Sequence, residues 1–199
     1  TLASRVWHAA YEEKMATVFK AAPPIESFEL EGGIVYAWSK VVEAGGEGGA
    51  KQKQRPPMAP SAFEALLSTL AFTNGSDRDV VAGLYRRTME EGFGGLTELR
   101  YPDVGWGDAE VAELSATLRE VACPGVVTLD LSFNKELRSA EALSGIGELK
   151  ALQHLDLDRC EGLTELPDAI WELSALQHLN LKSCKGLTAL PDAIGQLSA

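Results

Sequence analysis

Residues 149–172 read LKALQHLDLDRCEGLTELPDAIWE, and residues 173–196 read LSALQHLNLKSCKGLTALPDAIGQ. The two stretches match at 16 of 24 positions without a gap. A fixed period in the twenties is typical of proteins built from stacked units, each of which buries its apolar face against its neighbours. These two units therefore decide which fold we expect for the chain.

The leucine spacing within each unit predicts a short strand with one buried face. Leu155 and Leu157 alternate with polar residues, and Leu179 and Leu181 repeat the alternation in the second unit. Because side chains of a strand alternate between its two faces, the leucines of each pair are expected to point inward together. From residue 152 onward, the first unit follows the pattern L-x-x-L-x-L-x-x-C-x-x-L.

This pattern resembles the leucine-rich-repeat family. Cys160 and Cys184 stand at the turn position that usually holds Asn or Cys in that family, and the Leu-Pro-Asp-Ala-Ile segments at 166–170 and 190–194 resemble the convex side of plant-type and related intracellular repeats. Over residues 96–199 the resemblance implies an α/β solenoid, a right-handed superhelix with a parallel concave sheet, preceded by a helical N-terminal cap. It also implies a protein that binds other proteins.

Less regular units precede the two clear ones. Parallel strands are expected near 98–101, 127–131, 153–157 and 177–181, with Asn134 at the turn position that Cys160 holds later. Between the first two strands, apolar residues at helical spacing predict a helix from Asp108 to Val121 that begins with an aspartate cap. Return segments are thus expected to shorten along the chain, from a helix to the tight Leu-Pro-x-x-Ile form.

Three further segments lie before the repeats. Residues 1–44 have no assignable fold beyond a helix at 2–20 and a strand or short helix at 34–42, residues 45–60 are a Gly- and Pro-rich flexible linker, and residues 61–95 contain two helices, at 61–73 and 76–91, capped by Ser61 and Ser76. These two helices are expected to cover the first apolar layer of the repeats. Because the last three residues repeat the opening of a unit, we expect the natural chain to continue.

Composition narrows the classes of function. The chain carries 18 basic and 29 acidic residues, a net charge of −11 that disfavours binding to nucleic acid. No apolar run reaches the roughly 18–20 residues that cross a bilayer, so no transmembrane segment is expected. Three cysteines, an odd number, do not resemble a disulfide framework and favour a reducing, intracellular, cytoplasmic setting, with an organelle as an open alternative.

Several catalytic and ligand-binding interpretations were weighed against simpler ones. The Gly-rich run 45–49 before Lys51 lacks the residues that complete a phosphate-binding loop, and no catalytic motif occurs, so neither an enzyme nor a cofactor is expected. His154 and His178 should stack on adjacent strands about 4.8 Å apart. With Asp156 they admit a metal site, although repetition of the unit explains the pair more simply. Likewise, the cysteines admit a redox role, but packing in the turn suffices.

Outward positions of the strands carry the functional hypothesis, because they differ between the two near-identical units. The predicted partner-binding residues on this concave face are Glu98, Arg100, Asp130, Ser132, His154, Asp156, Asp158, His178, Asn180 and Lys182. Their partly acidic character predicts a scaffold that binds a partner protein with a basic surface. The alternative is a structural or peripheral subunit of a large multiprotein assembly, docked by residues 1–60.

Overall fold

The computed structural model describes four stretches of the chain, residues 25–31, 34–39, 55–69 and 75–188. The predicted helix at 2–20, most of the predicted linker and the second Leu-Pro-Asp-Ala-Ile segment lie outside these residues. Six strands of the described part form one sheet in the order of the sequence. They are β1 (Ile25–Glu31), β2 (Ile34–Ser39), β3 (Glu98–Arg100), β4 (Thr128–Asp130), β5 (His154–Asp156) and β6 (His178–Asn180).

Strands β3 to β6 pair in parallel, which confirms the predicted strands and their register. Leu99 is paired with Leu129, Leu129 with Leu155 and Leu155 with Leu179, so one leucine per unit lies in line across the sheet. Hydrogen bonds between neighbouring segments continue past the strand ends. The amide of Leu131, for example, donates to the carbonyl of Asp156 at 2.9 Å. The row of backbone hydrogen bonds between neighbouring units is therefore longer than the three-residue strands themselves.

At the other edge of β3 lies a pair of strands that the sequence did not define. β1 and β2 are antiparallel to each other, and β2 meets β3 in parallel through Ile34 and Glu98. For residues 34–42 a strand and a short helix were both open, and the structure contains a strand there, Ile34–Ser39. The sheet is therefore mixed, with one antiparallel pair at its edge.

The connections between the parallel strands differ in kind. The helix α3 (Asp108–Glu120) follows β3 as predicted, a 3-10 helix of 8 residues (Glu141–Glu148) follows β4, and a 3-10 helix of 5 residues (Asp168–Glu172) follows β5. Asp108 is not the cap that we expected, because Gly107 holds that position. The Asp108 carboxylate instead accepts hydrogen bonds from the amides of Arg138 at 2.7 Å and Ser139 at 2.8 Å, and so joins α3 to the next loop.

The prediction of an α/β solenoid with a right-handed superhelix is wrong. The described residues contain a small parallel sheet of four short strands together with helices of unequal length and type. A superhelix requires each unit to repeat the same rise and rotation. Here the return segments pass from a 13-residue α-helix to a 5-residue 3-10 helix, so successive units are not equivalent.

Two helices between β2 and β3 pack on the same core. They are α1 (Pro60–Ser68) and α2 (Gly75–Gly94), so α1 ends before the predicted residue 73. Ser61 is not its cap: the helix begins after Ala59, and the Ser61 amide donates to the Glu120 carboxylate at 2.9 Å. Part of the predicted linker is also ordered, because the carbonyl of Pro57 accepts a hydrogen bond from the buried Thr117 hydroxyl at 2.7 Å. The C-terminal end of the predicted linker is therefore packed against α3.

The inward leucines are buried to different extents. Leu155 on β5 is 1% exposed, as predicted, whereas Leu179 on β6 is only partly buried, so the prediction of a fully buried Leu179 is wrong. Leu155 lies on β5, which is paired with a strand on each side, whereas β6 is paired on one side alone within the described residues.

Neighbouring units also approach each other closely at Gly162, where a Cβ would lie 2.9 Å from the carbonyl oxygen of Lys135.

Candidate functional site

A groove with a volume of about 370 Å³ opens on the outward side of β3 to β6. It is lined by Arg100, Thr128, Asp130, His154, Leu155, Asp156, His178 and Asn180. Six of the ten residues predicted to bind a partner are among them, while Glu98, Ser132, Asp158 and Lys182 are not. Seven of these eight residues carry a polar or charged group, so the groove offers hydrogen-bonding and ionic groups beside apolar surface.

The two histidines form the centre of this lining. The rings of His154 and His178 are stacked with their centroids 4.6 Å apart and an angle of 5° between their planes. This confirms the predicted stack, which follows from the pairing of the two residues on β5 and β6. Both side chains are exposed, and within the described part of the chain neither imidazole forms a hydrogen bond. Their ring nitrogens are therefore accessible to an incoming group.

Three of the predicted binding residues also stabilise the turns after their strands. One side-chain oxygen of Asp130 accepts a hydrogen bond from the Ser132 amide at 3.0 Å, and Asp156 and Asn180 make the same bond to the amide two residues ahead, at 2.8 and 3.1 Å. Side chains of Asp and Asn are favoured in turns for this reason. Each of these residues therefore has a structural role that an asparagine can fill as well as an aspartate.

Charges of both signs lie on this face of the sheet. At the β3 end, Arg100 donates to the Glu98 carboxylate at 2.7 Å and lies 3.8 Å from the Asp130 carboxylate. Beyond it, Asp156 accepts a hydrogen bond from the Asn180 amide group at 3.1 Å. The middle of the groove thus carries two carboxylates, and Arg100 flanks them on the β3 side.

Two predicted binding residues are less accessible than expected. Ser132 is 6% exposed, and the Asp158 side chain is 17% exposed. One Asp158 oxygen is buried without a hydrogen-bond partner, and the other lies 3.9 Å from the Arg159 guanidinium. Because these positions lie in the turn after the strand, the alternation of the strand no longer predicts their orientation.

Asn134, Cys160 and Cys184 form a buried row behind the turns. The Asn134 amide group donates to the carbonyl of Tyr101 at 2.9 Å, and the Cys184 thiol makes the equivalent bond to Leu157 at 3.0 Å. Burial raises the pKa of the Cys160 thiol to about 12 and also raises the pKa of Cys184. A protonated thiol is a poor nucleophile, which supports the packing interpretation over a redox role.

Neither a metal site nor a membrane segment is apparent in the part of the chain that the structure describes. These residues contain no group of three or more His, Cys, Asp or Glu side chains arranged to hold a metal ion. The two stacked imidazoles and Asp156 therefore lack the convergence that a zinc site requires. Among the described helices, none has both the length and the apolar character needed to span a bilayer.

One exposed pair of residues was missed by the sequence analysis. Phe133 is 37% exposed, and the guanidinium carbon of Arg159 lies 5.0 Å from the centre of its ring. Both residues have a positive φ, of 64° and 56°. A large apolar residue between Ser132 and Asn134, in a turn, is the sequence signal that could have indicated this pair.

Neither the protein-family models nor the curated proteins include a match to this chain. The leucine-rich-repeat resemblance therefore depends on the leucine spacing and the turn residues alone.

Proposed function

We propose that this protein is a protein-binding module that holds a basic segment of its partner in the groove on β3 to β6. The observation that carries the proposal is the groove itself, in which exposed histidines and two carboxylates line one surface. Seven of the eight residues around the groove carry a polar or charged group. An open groove lined in this way can hold side chains of another protein.

Charge supports a basic partner. Asp130 and Asp156 each use one oxygen for a turn, so the negative charge remains at the groove while the geometry is held. Ordered carboxylates attract a partner's Lys and Arg side chains and increase the association rate. The net charge of −11 adds a long-range attraction to the same kind of partner. The leucine-rich-repeat resemblance favours protein recognition independently of these charges.

Affinity capture with the full chain and three variants tests the proposal. Asp156→Asn keeps the turn hydrogen bond, as Asn180 does naturally, and His178→Ala removes one ring of the stack. Both should reduce the yield of a specifically captured partner at least tenfold. Glu148→Gln is the control, because it removes a charge from an exposed residue on a 3-10 helix outside the groove.

A different pattern of losses would contradict the proposal. If Asp156→Asn and His178→Ala capture the partner as well as the original chain does, the groove is not the binding surface. If charge reversal of Glu12 and Glu13 abolishes capture instead, the result favours the alternative of a structural subunit docked by its N-terminal segment.

A further inference from the structure

The turn after each parallel strand contains one residue other than glycine in the left-handed conformation. These residues are Asp103, Phe133, Arg159 and Ser183, with φ between 53° and 64°. Each lies three residues beyond the end of its strand. The amide of Phe133 donates to the carbonyl of Asp158 at 2.7 Å, and the amide of Arg159 to that of Lys182 at 2.8 Å. The fold therefore requires a positive φ at this position in every described unit.

The four residues do not meet this requirement equally well. A positive φ is tolerated by glycine and by short polar residues such as Asp and Asn, whereas in a bulky residue it is a genuine outlier. Phe133 and Arg159 are thus the two less suitable residues in a row that also accepts Asp103 and Ser183. Strained positions of this kind often mark functional surfaces.

Burial does not account for Phe133. Its side chain is 37% exposed and does not belong to the hydrophobic core. Instead, the ring and the Arg159 guanidinium stack against each other, with 5.0 Å between the guanidinium carbon and the ring centre. Among the residues that the structure describes, the nearest carboxylate oxygen to this guanidinium is that of Asp158, at 3.9 Å, and no hydrogen bond from the Arg159 side chain is formed, so its N–H donors can reach a closer acceptor. The pair thus presents an apolar surface beside a cationic one.

Charges of both signs lie near the pair, with Asp158 and Glu161 as the carboxylates. Lys182 is exposed in the next turn, and Lys135 and Lys185 lie on either side of Glu161, at 3.9 and 2.8 Å from its carboxylate. These lysines also hold the pKa of Glu161 below its usual range, chiefly through the Lys185 hydrogen bond. The turns after β5 and β6 therefore offer Arg159, Lys182 and Lys185 to an acidic group, although Asp158 and Glu161 lie among them.

We propose that Phe133 and Arg159 form an anchor for a segment of a partner protein that carries a carboxylate next to an apolar side chain. The apolar side chain covers the exposed part of the Phe133 ring, and the carboxylate accepts hydrogen bonds from the Arg159 guanidinium. Aromatic and arginine residues are the commonest energetic centres of protein interfaces. This inference rests on the proposed protein-binding function but assigns a second contact outside the groove, with the opposite charge preference.

Selection from a random peptide library displayed on phage tests the proposal. The full chain is the bait, and peptides that also bind Phe133→Asn are removed in each round. We expect the remaining peptides to contain Asp or Glu within two residues of a large apolar residue. Their affinity should fall at least tenfold on Phe133→Asn and on Arg159→Gln, and should be unchanged on Asp103→Asn, a substitution at the equivalent position.

A melting curve separates recognition from a structural role. Asn adopts a positive φ more readily than Phe, so Phe133→Asn should melt at the same temperature as the original chain or higher. A fall of several degrees would show that Phe133 supports the fold, and would overturn the inference. A selection that yields no discriminating peptide, or only peptides rich in Lys and Arg, would overturn it as well.

The groove variant distinguishes this inference from the proposed function. Peptides that bind the anchor should be insensitive to Asp156→Asn. If the selected peptides lose binding on Asp156→Asn and retain it on Arg159→Gln, they occupy the groove. The anchor would then be refuted while the groove remained a protein-binding surface.

Discussion

The buried turn position of the repeated units accepts side chains of different chemistry. Asn134 and Cys160 occupy the same buried place, and both donate to the residue that follows the preceding strand, Tyr101 at 2.9 Å and Leu131 at 3.4 Å. The amide makes two further hydrogen bonds, to the Leu131 carbonyl and from the Trp106 amide. An amide and a thiol therefore both fit this buried position and both reach a carbonyl of the preceding unit.

Replacing Cys160 by Asn should change the pH dependence of stability. Burial raises the pKa of this thiol from 9.0 to about 12, so the folded chain holds the proton more tightly than the unfolded chain does. The resulting stability is complete below pH 9 and is lost as the pH rises towards 12. Relative to Cys160→Asn, the original chain should lose up to about 1.4 kcal/mol by pH 10.

Urea unfolding of both chains between pH 7 and pH 11 measures this difference. Below pH 8 the difference between the two free energies of unfolding should not change with pH, and this serves as the internal control. Parallel behaviour up to pH 11 would show that the Cys160 thiol is not protected from water.

Contact between neighbouring return segments is the main feature at the scale of elements. The helix α3 and the 3-10 helix Glu141–Glu148 pack closely, and the buried Ser115 hydroxyl of α3 donates to the carbonyl of Ala142. Gly145 permits this approach, because a Cβ there would lie 2.3 Å from the backbone oxygen of Ser115. The 3-10 helix thus fits against α3 only without a side chain at this position.

The substitution Gly145→Ala should separate these two elements and destabilise the protein. The new methyl group meets backbone atoms, which cannot rotate away, so we expect a loss of about 1–3 kcal/mol in the free energy of unfolding. Gly83→Ala is the matched control in α2, where a Cβ would meet nothing within 4 Å. Since Gly disfavours helices, that variant should gain about 0.5–1 kcal/mol. If chemical denaturation gives the same change in the free energy of unfolding for both variants, the close packing of Gly145 against α3 is contradicted.

Charge distribution dominates at the scale of the whole molecule. The net charge is −11, yet the described surface separates the carboxylates of the groove from the lysines of the turns beyond the strands. The two surfaces adjoin each other, since Lys182 follows the groove residue Asn180 by two positions. A partner that uses both would need a basic segment and an acidic one.

Salt should therefore weaken and slow binding of a basic partner at the groove. The association rate of the captured partner is expected to fall with ionic strength, and Asp156→Asn should reduce both the rate at low salt and the steepness of that fall. Glu148→Gln removes the same charge outside the groove, so its salt dependence should stay close to that of the original chain. Surface plasmon resonance at several salt concentrations measures the association rate. If this rate falls equally steeply with ionic strength for the two variants, steering by the groove is refuted.

Much of the sheet could be predicted from the sequence, because local patterns determine it. Alternation of Leu155 and Leu157 with polar residues requires only that one strand face be buried, and the same leucine position within each unit sets the pairing, although the units differ in length. The helix from Asp108 and the stacked histidines follow from the same kind of pattern, and the structure contains both. The function remains a proposal, since no pattern within the chain identifies what binds to it.

Only the tertiary structure decided the rest, because it depends on contacts between segments that are distant in sequence. The sequence predicted that the return segments shorten, but only the structure shows that they change from an α-helix to 3-10 helices and that the predicted superhelix does not form. Ser132 is buried, and Phe133 and Arg159 stack, because backbone hydrogen bonds from the next unit set the turn in which they lie. Spacing along the chain predicts which residues share a strand face, whereas the turns beyond it take their form from their neighbours in space.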